Sequence, residues 1–303
     1  MSAYAFSLLT KRRFRLYHTY PCKLTQLILP NKVNWNSKLT RNGQDLQLFS
    51  NLTRHYIYAI DKHEYKLKFS RENILNYESS KDVIIIQGNN DWLSSFAKNK
   101  YLKSEILNIG LGPENFNLIN LFQKWYDDLF KLTPILQIKY DLIRQNSRAT
   151  NKTQIICAQI RIGGKRPNVE FDYEYNDLSV TKLFWKFIRE TFISQIKDDD
   201  WKLFITTDIE QVSDEAIREF GDTKVIKIPG LFTHIDRESN MGNDCYRIEK
   251  TILDFHFMQN CDKAVISKSG YGKLGTWNRL DPIKDLFIFE ENNFIKANYN
   301  MNA

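Results

Sequence analysis

The sequence lacks most of the features that assign a chain quickly to a class. Its four cysteines, Cys22, Cys157, Cys245 and Cys261, never approach C-x-x-C spacing, and its five histidines include no pair placed to complete a zinc site. A thiolate-held metal is therefore excluded. Cys157 sits inside an apolar run, which predicts a buried free thiol. No segment reaches the roughly 18 consecutive apolar residues of a membrane-spanning helix. The opening MSAYAFSLLTKRR places its positive charges after a short apolar stretch, the reverse of a signal peptide. RIGGKRP (161–167) has neither the spacing nor the hydroxyl of a phosphate-binding G-x-x-x-x-G-K-[ST] loop, so a P-loop triphosphatase is unsupported. Zinc-finger spacing, leucine heptads and an aromatic ribonucleoprotein signature are also missing. Nucleic acid is accordingly not an expected partner despite a net charge of +7.

What is present suits a folded chain of about two domains: 303 residues, 42% hydrophobic and 14% aromatic. The 43 basic residues are spread out, and only KRRFR (11–15) is a tight cluster, read as a solvated basic edge. A helix is expected over 2–9, a short strand in RRFRLYHT (12–19), a buried strand over 81–88 and a mostly helical stretch over 115–141, interrupted at Pro134. The polar RQNSRATNK (144–152) predicts a boundary between domains 1–150 and 151–303. Beyond it, strands at 154–162, 203–205, 224–228 and 263–267 alternate with helices at 181–196, from Asp208 to Phe220, and at 247–258. Asp208 and Gln211 are expected to cap the second of these helices, and Gly221 to end it. The rhythm predicts an α/β fold with a parallel sheet, whose ligands bind beyond the carboxyl ends of its strands.

The residues at those ends are Arg161, Gly163 and Gly164; Thr206, Thr207 and Asp208; Pro229 and Gly230; and Ser267, Ser269, Gly270 and Gly272. Glycine turns, hydroxyls and an arginine suit a phosphate ester, because backbone N–H groups and a guanidinium fork both bind anionic oxygen. SGYGKLG (269–275) also spells G-x-G-x-x-G. That fingerprint belongs after the first strand of a dinucleotide fold, whereas here it follows the last strong strand with Pro282 close behind, so NAD and FAD are not expected. The acids of 198–200 precede a strand, at the wrong end for a metal bridging a diphosphate, and read as a solvated loop.

The run TILDFHFMQNCDKAVISKSGYGKLG (251–275), with AQIRIGG (158–164) and FITTD (204–208), resembles the fucosyltransferase superfamily, which includes α-1,6-, xyloglucan and protein O-fucosyltransferases. SAYAFSLLTKRRFRLYHTYPC (2–22) and NNDWL (89–93) add to the likeness. The resemblance implies a GT-B fold of two Rossmann-like domains, the first on the acceptor side and the second binding the nucleotide sugar. It implies inverting, metal-independent transfer of fucose from GDP-fucose to a glycan or glycoprotein. Arg161 matches an arginine that holds the β-phosphate and helps the leaving group depart, and Asp254 an aspartate that reaches the guanine or its surroundings. Ser267, Ser269 and Gly270 match a diphosphate turn that also contains Tyr271 and Gly272. Gln159, Gly163, Thr207 and Asp208 complete the expected donor site.

Two departures accompany the likeness. Gln159 stands where the family has histidine, and the first strand and glycine-rich loop of the N-terminal domain are expected before Ser2. Their loss would leave a silent nucleotide-sugar- or glycan-binding relative, the alternative reading. For the acceptor base, EFDYEYND (170–177) offers Glu170 and Asp172, with Glu174, while His234 and Asp236 are rivals; an inverting transfer needs one such group beside the acceptor hydroxyl. Relatives act in the secretory pathway, including the Golgi, or in the bacterial cytoplasm, so this chain's compartment stays open.

Overall fold

Strand 83–88 pairs in parallel with strand 54–59, and the helix between them makes a βαβ crossover, the smallest unit that joins parallel neighbours. The computed structural model describes residues 1–18, 22–36, 39–41, 44–46, 52–59, 64–88, 91–112, 117–164, 176–197, 200–233 and 245–298. The chain divides into two compact units, one of Met1–Tyr17 and Pro30–Lys131, the other of His18–Leu29 and Leu132–Asn302.

In the first unit, α1 (Ser2–Leu9) precedes β1 (Arg54–Ala59), α2 (Glu64–Arg71), β2 (Val83–Gly88) and α3 (Leu118–Leu129). Its core is aromatic: Phe69 contacts Phe6, Trp92 and Phe96 with ring centroids 4.9–5.6 Å apart. Asn117 caps α3, its side chain accepting from Ile119 N and Asn120 N. The expected buried strand at 81–88 is only half-buried, since β2 has a single partner strand among the described residues. The expected strand at 12–19 is not one over 12–18. There Arg12 is not a solvated edge; its guanidinium donates to the carbonyls of Glu78 and Lys81.

The second unit holds α4 (Pro134–Ser147), β3 (Gln154–Ile160), α5 (Val180–Phe187), β4 (Trp201–Thr207), α6 (Glu210–Phe220), β5 (Val225–Ile226), α7 (Tyr246–Phe257), β6 (Lys263–Ser267), α8 (Gly270–Trp277), β7 (Leu286–Glu290) and β8 (Asn293–Lys296). The sheet runs β8-β7-β6-β3-β4-β5, parallel except for the β7/β8 pair. Numbered within this unit, that is the 3-2-1-4-5-6 order of a dinucleotide-type sheet, and the order reverses between β3 and β6. Pro134 opens α4 at its first turn, where the missing N–H costs nothing, which is why it separates two helices.

Side chains alternate across this sheet with period two. Ile156, Ala158 and Ile160 of β3 and Leu203 and Ile205 of β4 join the core under α5 and α6 with Phe184, Ile188 and Phe192. Cys157 and Gln159, with Phe204 and Thr206, face the other side. Phe204 meets Phe257 of α7 at 4.6 Å, and Cys157 is bonded to Cys261, with Cα atoms 5.7 Å apart. The free thiol expected at Cys157 is thus a disulfide, formed because β3 and the segment leading into β6 are neighbours only after the sheet assembles. A second disulfide joins Cys22 to Cys245, the residue before α7.

Candidate functional site

At the reversal between β3 and β6 the two following connections leave in opposite directions, and the crevice they leave opens at the carboxyl ends of the strands. A cleft of about 390 Å³ lies there, within the second unit. Gln159 and Arg161 come from the end of β3, Thr206, Thr207 and Asp208 from the end of β4, Lys250, Thr251 and Asp254 from α7, and Ser269, Gly270 and Tyr271 from the start of α8.

Arg161 is the cation at one side of this cleft. Its Nη1 donates to Asp208 Oδ2 at 2.7 Å, and the same carboxylate accepts the backbone N–H groups of Ile162 (3.0 Å) and Gly163 (2.9 Å). Asp208 therefore does not cap α6, as the sequence pattern predicts; that helix begins at Glu210 with Ile209 in the cap position and no side-chain cap. A carboxylate gains more from a guanidinium and two N–H donors than from one helix end. Gly163 and Gly164 have φ of 78° and 79°, which fits glycine, so the expected turn is present. The Asn176 side chain donates to Arg161 O at 2.6 Å, and Arg161 N donates to Ser267 Oγ at 3.0 Å across the switch point. Ser267 is thereby buried and spent on the backbone; it does not line the cleft.

The SGYGKLG segment is a helix start rather than a turn. Ser269 caps α8, accepting from Gly272 N at 3.4 Å, and none of the three glycines has positive φ. Two of them serve close packing: a Cβ on Gly272 would run into the Gln159 side chain, and one on Gly275 into Met258. Gly272 thus lies behind the cleft rather than on it. The first turn of any helix carries N–H groups that it cannot satisfy internally, so α8 directs such donors at the crevice floored by Gly270 and Tyr271. Tyr271 is fixed by its hydroxyl, which donates to Thr251 O at 2.8 Å.

The inner wall is a buried ion pair. Lys250 Nζ lies 2.6 Å from Asp254 Oδ2, which also accepts from Thr206 Oγ1 at 2.9 Å, and both charged side chains are about 5% exposed or less. Burial pushes the Asp254 carboxyl above its ordinary range, while Lys250 and the Thr206 hydroxyl act against that rise. Among the described residues, Asp254 Oδ1 and Gln159 Oε1 are buried without a hydrogen-bond partner. A buried acceptor left unpaired costs about 1–3 kcal/mol, so the cleft wall is matched to a ligand that brings N–H or O–H donors. Lys250 also lies over the Phe232 ring at 4.8 Å.

The cleft thus gathers Gln159, Arg161, Thr207, Asp208, Asp254, Ser269, Gly270 and Tyr271 of the expected set, with Gly163 held beside it by Asp208. Glu170, Asp172 and His234, and with them Glu174 and Asp236, lie outside the described residues. Lys250, Thr251, Lys268, Leu231, Phe232 and Thr233 line the cleft without having been picked out from the sequence. Lys250 had a signal, its position four residues before Asp254 on a helix. Among the described residues no group of three or more His, Cys, Asp or Glu side chains could hold a metal ion, and no helix is long and apolar enough to cross a membrane.

Comparison with known proteins finds likeness in structure only. No protein-family profile matches the chain, and no curated protein does. Among solved structures it is similar to a mutant of Arabidopsis thaliana FUT1 in complex with GDP, with a TM-score of 0.63, 12% identity, and coverage of 96% of this chain and 67% of that one. Two structures of the NodZ fucosyltransferase share less. One, an α-1,6-fucosyltransferase soaked with GDP-fucose, has a TM-score of 0.38, 15% identity, and coverage of 56% of this chain and 50% of that one. The other, from Bradyrhizobium, has 0.36, 16%, 55% and 48%. The FUT1 likeness spans nearly the whole chain, and the resemblance to the fucosyltransferase superfamily is present at the level of fold.

Proposed function

We propose that the second unit binds GDP-fucose in the cleft between β3 and β6, and that the chain transfers fucose to a glycan or glycoprotein with inversion and without a metal. The observation that carries this reading is Arg161, seated on Asp208 beside the N-terminus of α8 at the switch point of the sheet. The GDP in the FUT1 complex, on a chain of the same fold, supports it. The proposal includes the GT-B arrangement, with residues 1–150 on the acceptor side and 151–303 on the donor side.

The chemistry follows from where charge develops. Breaking the bond between fucose and GDP leaves an oxocarbenium-like sugar and a diphosphate that gains negative charge. A cation and N–H donors fixed in advance stabilise that state more than the ground state. Arg161 supplies the cation, already oriented by Asp208, and α8 supplies the donors, with Ser269 and Gly270 at its start. Asp254, with its unpartnered oxygen, accepts from the guanine, and Gln159, Thr207 and Tyr271 complete the donor site. In this proposal one of Glu170, Asp172 and His234 takes the proton of the acceptor hydroxyl as the fucosyl–oxygen bond forms. The two disulfides suit an oxidising compartment such as the secretory pathway.

Calorimetric titration tests the reading. GDP should bind at micromolar concentration with EDTA present, UDP should bind at least tenfold more weakly, and Arg161→Ala should abolish GDP binding; a folded protein that ignores GDP ends the proposal. Turnover of GDP-fucose then separates a transferase from a silent nucleotide-sugar-binding relative.

A further inference from the structure

In the first unit the basic run 11–15 sorts into cations with different tasks. Arg12 is spent on the carbonyls of Glu78 and Lys81, at 2.7 and 3.0 Å, and Leu16 N donates to Trp35 O at 3.3 Å. These bonds pin both ends of the short segment that carries Arg13 and Arg15. Phe14, between the two arginines, meets Tyr4 edge-on with ring centroids 5.3 Å apart. A cleft of about 530 Å³ opens here, with Tyr4, Leu8, Arg13, Phe14 and Asn34 among its walls, and Arg13 is exposed. Arg15 sits close by: burial, and then the charge of Arg13, hold its guanidinium below the ordinary range. Two of its donors, Nε and Nη2, are buried with no hydrogen-bond partner among the described residues. Asp128, whose charge reaches Tyr4 on the cleft wall, is already engaged by Lys32 at 3.3 Å and Lys124 at 2.6 Å. A charged donor taken out of water and left unmatched is costly, and two like charges held together add to that cost. An oxyanion relieves both.

We propose that this cleft of the first unit binds a sugar ring carrying a carboxylate or a sulfate, whose oxygens accept from Arg13 and from the unpartnered donors of Arg15. A guanidinium fork matches either group bidentately. The ring itself has partners of the right kind, because Phe14 and Leu8 give an apolar wall for its C–H side and the exposed Asn34 amide can both donate to and accept from hydroxyls. A free inorganic oxyanion carries the same charged group, but it would leave Phe14, Leu8 and Asn34 unused, so the sugar is favoured. The inference rests on residues of the first unit and does not depend on the nucleotide reading given above.

The test follows the backbone amide resonances of residues 13–16 and 33–35 in the full chain, as wild type, Arg13→Gln, Arg15→Gln and Arg15→Lys. Each is titrated with glucuronic acid, glucose 6-sulfate, glucose and inorganic sulfate. In the wild type the two anionic sugars should shift these resonances, binding at least about tenfold more tightly than glucose and about threefold more tightly than inorganic sulfate. Arg13→Gln and Arg15→Gln should each weaken them at least about fivefold, and Arg15→Lys, which keeps the charge without the fork, should weaken them less than Arg15→Gln. Thermal melts identify a variant that fails to fold, and the exposed Arg13 decides the matter if Arg15→Gln does so. No response to either anionic sugar overturns the inference, as does a response that survives both glutamine variants. Inorganic sulfate binding as tightly as glucose 6-sulfate overturns the assignment to a sugar. Failure of GDP to bind the same samples ends the nucleotide reading without touching this one, which the sugar titrations decide alone.

Discussion

Asp208 holds the Arg161 guanidinium at 2.7 Å while the same carboxylate accepts the N–H groups of Ile162 and Gly163. One side chain thus fixes both the cation and the glycine turn of the cleft. Asp208→Asn keeps the shape but removes the negative charge 2.7 Å from a guanidinium that is 15% exposed. The expected cost is about 2–3 kcal/mol of stability, with GDP affinity down at least tenfold, since Arg161 is no longer oriented. Urea unfolding and calorimetry on the same preparation check both, and unchanged GDP affinity would remove Asp208 from the site.

Asp254 has one oxygen committed to Lys250 and Thr206 and the other without a partner among the described residues. If that second oxygen meets the guanine, Asp254→Asn exchanges an acceptor for a donor at one position. GDP should then bind about tenfold more weakly and xanthosine diphosphate more strongly than to the wild type. Competition between the two nucleotides reads this out as a change of preference, which a general loss of stability would not produce.

Gly272 packs against Gln159 with no room for a Cβ. Gly272→Ala must push the Gln159 amide toward the cleft or shift α8, at a cost of about 1–3 kcal/mol. GDP binding should weaken with it. Replacing Gly270, around which a Cβ meets nothing within 4 Å, should cost less stability, and thermal melts of the two variants make the comparison.

Burial in α7 lowers the His256 imidazole from its ordinary 6.5 to about 4. Between those values the unfolded chain binds a proton that the folded one refuses, so stability falls as the pH drops through this window. The loss is at most about 3 kcal/mol. Unfolding free energies of wild type and His256→Gln measured from pH 7 to 4 should diverge in slope, the variant being flatter.

Cys157 and Cys261 close a loop with a separation of 104 residues, and Cys22 and Cys245 one of 223. Non-reducing peptide mapping should recover these two pairs and no others. Replacing Cys157 and Cys261 with alanine should cost about 2–4 kcal/mol. Free thiols at all four positions in protein made under oxidising conditions would count against this pairing.

The sequence by itself determined the alternation of strand and helix beyond residue 150, the glycine turn at Gly163 and Gly164, the end of α6 at Gly221 and the residues standing at the strand ends. These rest on apolar period and on local φ, which a few neighbouring residues decide. Even there the pattern misread Asp208, because a helix cap and a buried partner for Arg161 ask for the same residue type, and only distance in space chooses between them. Tertiary structure alone decided the strand order, and with it the switch point that makes a cleft from residues 159, 206, 254 and 270. It also decided the disulfide partner of Cys157, the close packing behind the G-x-G-x-x-G likeness, and the wall of Lys250 and Phe232. Each of these is a contact between segments far apart in the chain. Such contacts form only when burial of whole faces offsets the entropy of bringing the segments together, and no local pattern records that balance.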